Sequence, residues 1–167
     1  MKRIIGTIVW ALIAWRAFAQ SNQQGNQPLT FAAGYTTSGA AFILTVSWPA
    51  NSGALLKPVM AYVTCSAACN VTPEIATTAA TTTVGVAVPL RSRTDVSSAV
   101  VYTQSNVVAP PSNKLQPVAC AATQPCVIDL SYIKLDKNYN LVQNLTLRSD
   151  LAAGNTTGQI LWQESQQ

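Results

Sequence analysis

In several short stretches apolar residues recur at every second position, the period of a β-strand with one face buried. Phe42, Leu44, Val46 and Trp48 share one face of such a run, Thr45 and Ser47 take the other, and Pro49 ends it. Val84, Val86 and Val88 repeat the pattern before Pro89. Ile128, Leu130 and Tyr132 stand opposite Asp129 and Ser131, and Leu141, Leu145 and Leu147 oppose Asn144, Thr146 and Arg148. In the stretch Gln159 to Glu164, Ile160 and Trp162 are in phase, and Ala153-Gly154-Asn155 predicts a hairpin turn back to the Leu141 run. Weaker runs at Thr30 to Tyr35, Val59 to Thr64, Ala99 to Thr103 and Leu115 to Cys120 bring the expectation to about nine strands, spaced as in sandwiches and barrels.

No long stripe of 3.6-residue period competes with this pattern. Ala76 to Ala80 is the best helical candidate, and Thr77, Thr78 and the Thr81 to Thr83 run make it a poor one. The longest loop is expected at Asn106 to Asn113, where Ala109-Pro110-Pro111-Ser112 cannot continue a central strand. The predicted fold is therefore all-β, a two-sheet antiparallel β-sandwich of Ig-like or jelly-roll-like kind.

The first 19 residues break the pattern and carry a different message. Lys2 and Arg3 precede an apolar stretch from Ile4 to Trp15, and Ala17-Phe18-Ala19 is a small-x-small site, so a signal peptide cut before Gln20 is expected. A membrane anchor would need about 20 apolar residues, and Arg16 interrupts this stretch well before that. The expected organisation is a leader over 1–19, a polar arm over 20–28 and one domain over 29–167. The arm precedes a strand-like run, the arrangement from which a strand can add to a neighbour's sheet; the plainer reading is a spacer.

Cleavage also changes the charge. Removing Lys2, Arg3 and Arg16 leaves 7 of the 10 basic residues against 6 acids, a net charge of +1, and no cluster of Lys and Arg of the kind nucleic acid requires. Only 10% of the residues are charged, where globular proteins average about 25%. Neutral hydroxyls and amides must cover much of the surface. A secreted, periplasmic or cell-surface location is expected, with no membrane span after cleavage and no nucleic-acid partner.

In that setting the four cysteines, Cys65, Cys69, Cys120 and Cys126, are expected to form two disulfides. Three pairings are open. Loop entropy favours crossed bridges, worth about 4 kcal/mol each against about 2 for small rings. Proximity favours Cys65 with Cys69 and Cys120 with Cys126, each pair flanking a short turn between strand-like runs, and it is the preferred reading because near neighbours meet without a prior fold. Zinc fits poorly, since the spacings are wrong for knuckles and the chain has no histidine.

The missing histidine removes Ser-His-Asp and Cys-His nucleophile systems. A carboxylate pair drawn from Glu74, Asp95, Asp129, Asp136, Asp150 and Glu164 is the remaining route to hydrolysis, though turn or solubility roles account for each. Asp136-Lys-Asn138-Tyr-Asn140 begins like a calcium loop and then fails, with Leu141 at the glycine position and Leu147 where a glutamate is needed. Asn70, Asn144 and Asn155 open glycosylation sequons. Trp48 and Trp162 are in phase with apolar neighbours and read as core. Tyr35, Tyr62, Tyr102, Tyr132 and Tyr139 are the residues available for a sugar-stacking platform.

The expectation is thus an exported non-enzymatic β-sandwich acting through its surface as a cell-surface, matrix or assembly protein, with a protein partner or self-association, and with no catalytic, cofactor-binding or metal-binding residues. The alternative is a small-ligand or carbohydrate-binding module, and a carboxylate-pair hydrolase comes third.

Overall fold

A computed structural model describes residues 28–52, 55–77, 80, 83–90, 96–104, 109, 111–135 and 141–165. The signal-peptide residues Ala17, Ala19 and Gln20, the arm before Pro28, Asp95 and the Asp136 to Asn140 segment lie outside them. The strands are β1 (Leu29–Ser38), β2 (Ile43–Trp48), β3 (Leu55–Cys65), β4 (Cys69–Ala76), β5 (Thr83–Val84) and β6 (Val88–Pro89). There follow β7 (Val100–Thr103), a 3-10 turn Pro111–Asn113, β8 (Val118–Cys120), β9 (Cys126–Asp129), β10 (Gln143–Ser149) and β11 (Asn155–Ser165).

Two antiparallel sheets pack face to face, one ordered β6-β1-β11-β3-β9 and the other β5-β7-β2-β10-β4-β8. With β5, β6 and β7 set aside, the orders become β1-β11-β3-β9 and β2-β10-β4-β8, and strands from the two halves of the chain alternate in both sheets. That is the order of one long hairpin wound into a sandwich, a jelly roll. The expected all-β sandwich is what forms. β5 to β7 are an insertion between β4 and β8 that reaches the opposite side of the molecule.

The core lies between the sheets. Phe42, Leu44, Val46 and Trp48 enter from one side and Phe31, Ile160 and Trp162 from the other, with Phe31 stacked on Trp162 at 5.9 Å. β10 supplies Leu145 and Leu147, whereas Leu141 lies ahead of the strand and is exposed. Ile128 and Leu130 are buried as their alternation requires, but β9 stops at Asp129 and a turn puts Tyr132 outside, with Ile133 and Leu135 taking the next core positions.

The expected hairpin and both cysteine segments pass between the sheets rather than turning within one. β10 and β11 belong to different sheets, so Ala153-Gly154-Asn155 is a corner between sheets, with Gly154 at φ 123° and its carbonyl accepting from Gly39 N–H at 2.8 Å. The cysteine segments are corners too. Cys65 ends β3 in one sheet and Cys69 opens β4 in the other, while Cys120 ends β8 and Cys126 opens β9. The disulfides are Cys65–Cys69 and Cys120–Cys126, with Cα separations of 6.4 and 5.4 Å. Cys69 lies opposite Cys120 in the β4·β8 register, so the two bridges staple the sheets together at one place.

β4 carries Pro73, which would ordinarily argue against a strand with neighbours on both sides. Its carbonyl accepts from Leu115 N–H at 2.9 Å. The missing N–H therefore points toward Leu115, where pairing with β4 lapses until Val118, and the ladder to β10 loses nothing. Pro58 in β3 is accommodated by a bulge: Met60 faces Leu161, Pro58 faces Trp162, and Val59 is the extra residue.

The polar residues expected to face water on the six-stranded sheet are buried as well. Thr45 and Thr146 hydrogen-bond side chain to side chain at 2.8 Å, and Asn144 Nδ2 donates to the Ala76 carbonyl at 3.3 Å. The cause is topological. β7 and β8 lie on opposite flanks of β2, β10 and β4, and of the chain between them Ala109 packs on Ala76 and Lys114 reaches the buried Glu74 on that outer face. Of the loop expected at Asn106 to Asn113, residues 106–108 and 110 lie outside the described residues, and Pro111–Asn113 form the 3-10 turn.

Candidate functional site

Residues 83–90 run Thr-Val-Gly-Val-Ala-Val-Pro-Leu without a charge and pass from the free edge of one sheet to the free edge of the other. Their alternation is real, but its face is inverted relative to the sequence expectation. Gly85, Ala87 and Pro89 turn inward, while Val84, Val86, Val88 and Leu90 are 63, 75, 52 and 53% exposed. Gly85 explains the inversion. Its N–H donates to Val101 O at 2.8 Å, and a Cβ added there would lie 3.0 Å from Val101 Cγ1. The backbone at Gly85 lies so close over the buried Val101 that a side chain there has no room to turn inward. Val96 and Val100 are exposed as well.

On the opposite side, β8 and β9 are the last strands of their sheets. Between them runs an open groove of about 560 Å³, walled by Val118, Ala119 and Val127, with Gln116, Asp129 and Tyr132 among its polar lining. Each strand has a neighbour on one side only among the described residues, so unpaired backbone groups border the groove. Asp129 is exposed, and hydrogen bonds from the Ser131 hydroxyl and the Ser131 N–H hold its carboxyl below the ordinary aspartate value. Tyr132 is 58% exposed and Tyr62, at 39%, stands beside Val127 on the outer face of the same sheet. Tyr35 stacks on Phe42 instead.

The candidate acids take separate places. Glu74 is buried on the outer face of the six-stranded sheet, where Arg148 Nε reaches its oxygens at 3.3 and 3.4 Å and Lys114 Nζ comes within 3.6 Å. Glu164 is buried inside the sandwich and accepts hydrogen bonds from Trp162 Nε1 at 2.9 Å, from Ser98 N–H at 3.0 Å and from the Ser97 hydroxyl. Asp150 accepts from Asn70 N–H and from Asn70 Nδ2, both at 2.7 Å. Glu74, Asp129, Asp150 and Glu164 each serve a local structural partner. Of the sequons, Asn144 is buried, and Asn70 and Asn155 are exposed. Among the described residues no group of three or more His, Cys, Asp or Glu is placed to hold a metal ion. No described helix is long and apolar enough to cross a membrane.

Asp150 gives a pH-dependent prediction. The Asn70 N–H and then its side-chain amide stabilise the ionised carboxyl and lower its pKa. A depressed pKa contributes stability that is present above the ordinary aspartate range and lost as pH falls through the lowered value. In an NMR titration the Asn70 amide should follow a single step below that range, and the step should vanish in Asp150→Asn. A midpoint at or above the ordinary value would contradict the assignment.

Compared with protein-family models, with curated proteins and with solved structures, the chain matches none. Function has to be argued from the surface itself.

Proposed function

We propose that this protein is an exported, non-enzymatic subunit that works by assembly through its surface, with the flap over 83–90 as the contact. The observation that carries this reading is the inverted alternation of that flap. Burying Val84, Val86, Val88 and Leu90 would have stabilised an isolated domain by about 1.5 to 3 kcal/mol for each side chain. They are instead held outward on an uncharged edge, which monomeric sheet proteins ordinarily protect with charge. The leader sequence and the two disulfides are compatible with an oxidising destination. The structural employment of the four described acids supports a role other than catalysis.

Light scattering of the disulfide-intact protein from Gln20 onward, across a concentration series, tests the proposal. The wild type should associate reversibly, and Val84→Lys with Val86→Lys should remain monomeric with an unchanged far-UV spectrum. A wild type that stays monomeric throughout would overturn the assembly reading. The second reading, a carbohydrate-binding module, is favoured by one observation: exposed Tyr132 shares the groove with Asp129 and Gln116, a stacking surface beside hydrogen-bonding groups. Its signature would be oligosaccharide binding lost in Tyr132→Ala.

A further inference from the structure

We infer that the flap of one copy docks into the β8/β9 groove of the next, so that the protein assembles head to tail. This rests on the assembly reading above and adds the identity of the second surface. The flap offers apolar side chains at every second residue, a spacing of about 6.6 to 6.8 Å along an extended chain. The groove offers apolar walls from Val118, Ala119 and Val127, bordered by unpaired backbone. An extended segment entering between two free strand edges gains main-chain hydrogen bonds and side-chain burial together.

Charge selects a copy of this chain as the occupant. The groove lining carries one charge, the carboxylate of Asp129. The flap itself carries none, and in sequence Leu90 is followed by Arg91 and Arg93, with Asp95 leaving that run one unit positive. An apolar extended segment trailed by a cation is what the groove fits, and the chain possesses one. The two surfaces lie on opposite flanks of the sandwich, the flap beyond β7 and β1 and the groove at β8 and β9. A molecule therefore cannot fill its own groove, and unlike faces meeting in sequence make an open row rather than a closed pair.

Two variants separate this mode from every other. Val84→Lys/Val86→Lys disables the flap and keeps the groove; Val127→Lys/Asp129→Lys disables the groove and keeps the flap. All four positions are exposed, so both proteins should fold. Each alone should associate at least about tenfold more weakly than wild type. Mixed together they should give a 1:1 dimer that grows no further, since one good flap meets one good groove. Hydrogen exchange of the wild type should show concentration-dependent protection at 83–90 and at 118–129 together. If the groove variant still assembles, or the mixture does not dimerise, the flap meets another surface and the inference is overturned while the assembly reading stands. If the wild type never associates, both fall. Protection of the groove by oligosaccharide with no effect of the flap variant would also overturn it, in favour of sugar binding.

Discussion

Gly158→Ala is expected to be among the most damaging single substitutions outside the cysteines, costing about 3 kcal/mol or more, a fall of roughly 6 to 12 °C in melting temperature for a domain of this size. Gly158 lies in the middle of β11, directly beneath the ring of Phe42. A Cβ there would overlap Phe42 Cζ and stand 2.9 Å from Cε1. The ring has little room to retreat, because it is fully buried and stacks on Tyr35 with centroids 6.0 Å apart. Close packing turns one methyl into strain spread over three residues. Combining Gly158→Ala with Phe42→Leu should recover part of the loss, a favourable coupling in a double-mutant cycle by urea unfolding. Additive losses would show that the clash is not with Phe42.

Glu164→Ala is the second large effect, on the order of 3 kcal/mol. Its carboxylate sits at the end of the sandwich with Trp162 Nε1, Ser98 N–H and the Ser97 hydroxyl directed at it. Truncation orphans three donors at once, and an unsatisfied buried donor costs about 1 to 3 kcal/mol, discounted here because water can reach the half-buried Ser97 and exposed Ser98. Glu164→Gln should fall between alanine and wild type, since its amide nitrogen would face a donor where an acceptor is needed. Denaturant unfolding, with hydrogen exchange at Ser98 and Ala99, checks both. An alanine variant within about 0.5 kcal/mol of wild type, the range of neutral surface changes, would mean that the cluster contributes little.

Both residues show what alternation conveys and what it omits. Period two identifies which residues share a face, and for β2, β10 and β11 large apolar residues on one side and Thr, Asn or Gln on the other also reveal which face enters the core between the sheets, though not that the polar face of β2 and β10 is covered too. In the 83–90 segment the same periodicity is present and the inference about its face fails. The deciding factor is the close approach of Gly85 to Val101, a tertiary distance that a glycine at that position only hints at. Pro73 and Glu74 obscure how far the strand opened by Cys69 runs, since they look like loop residues until the lapse in pairing with the β8 side and the Arg148 and Lys114 partners are known. The local cysteine pairing followed from proximity, but its role as a staple between sheets did not, because that depends on which sheet each strand joins. For the same reason the groove could not be read from sequence. Val118, Val127 and Asp129 belong to different sheets, and only the strand order places them on one flank.

The pairing of β1 with β11 has a mechanical consequence. Leu29 lies opposite Glu164 and the ladder continues to Ser38 opposite Asn155, so residues 28 and 165 leave the same end of one sheet, about one strand spacing of 4.8 Å apart. A pull between those two points does not load the rungs together. It peels β1 from β11 one hydrogen-bonded pair after another, like a zipper, and the domain yields at low force whatever its thermodynamic stability. The disulfides give no relief, because Cys65–Cys69 and Cys120–Cys126 both lie within the stretch of chain between the two peeling strands.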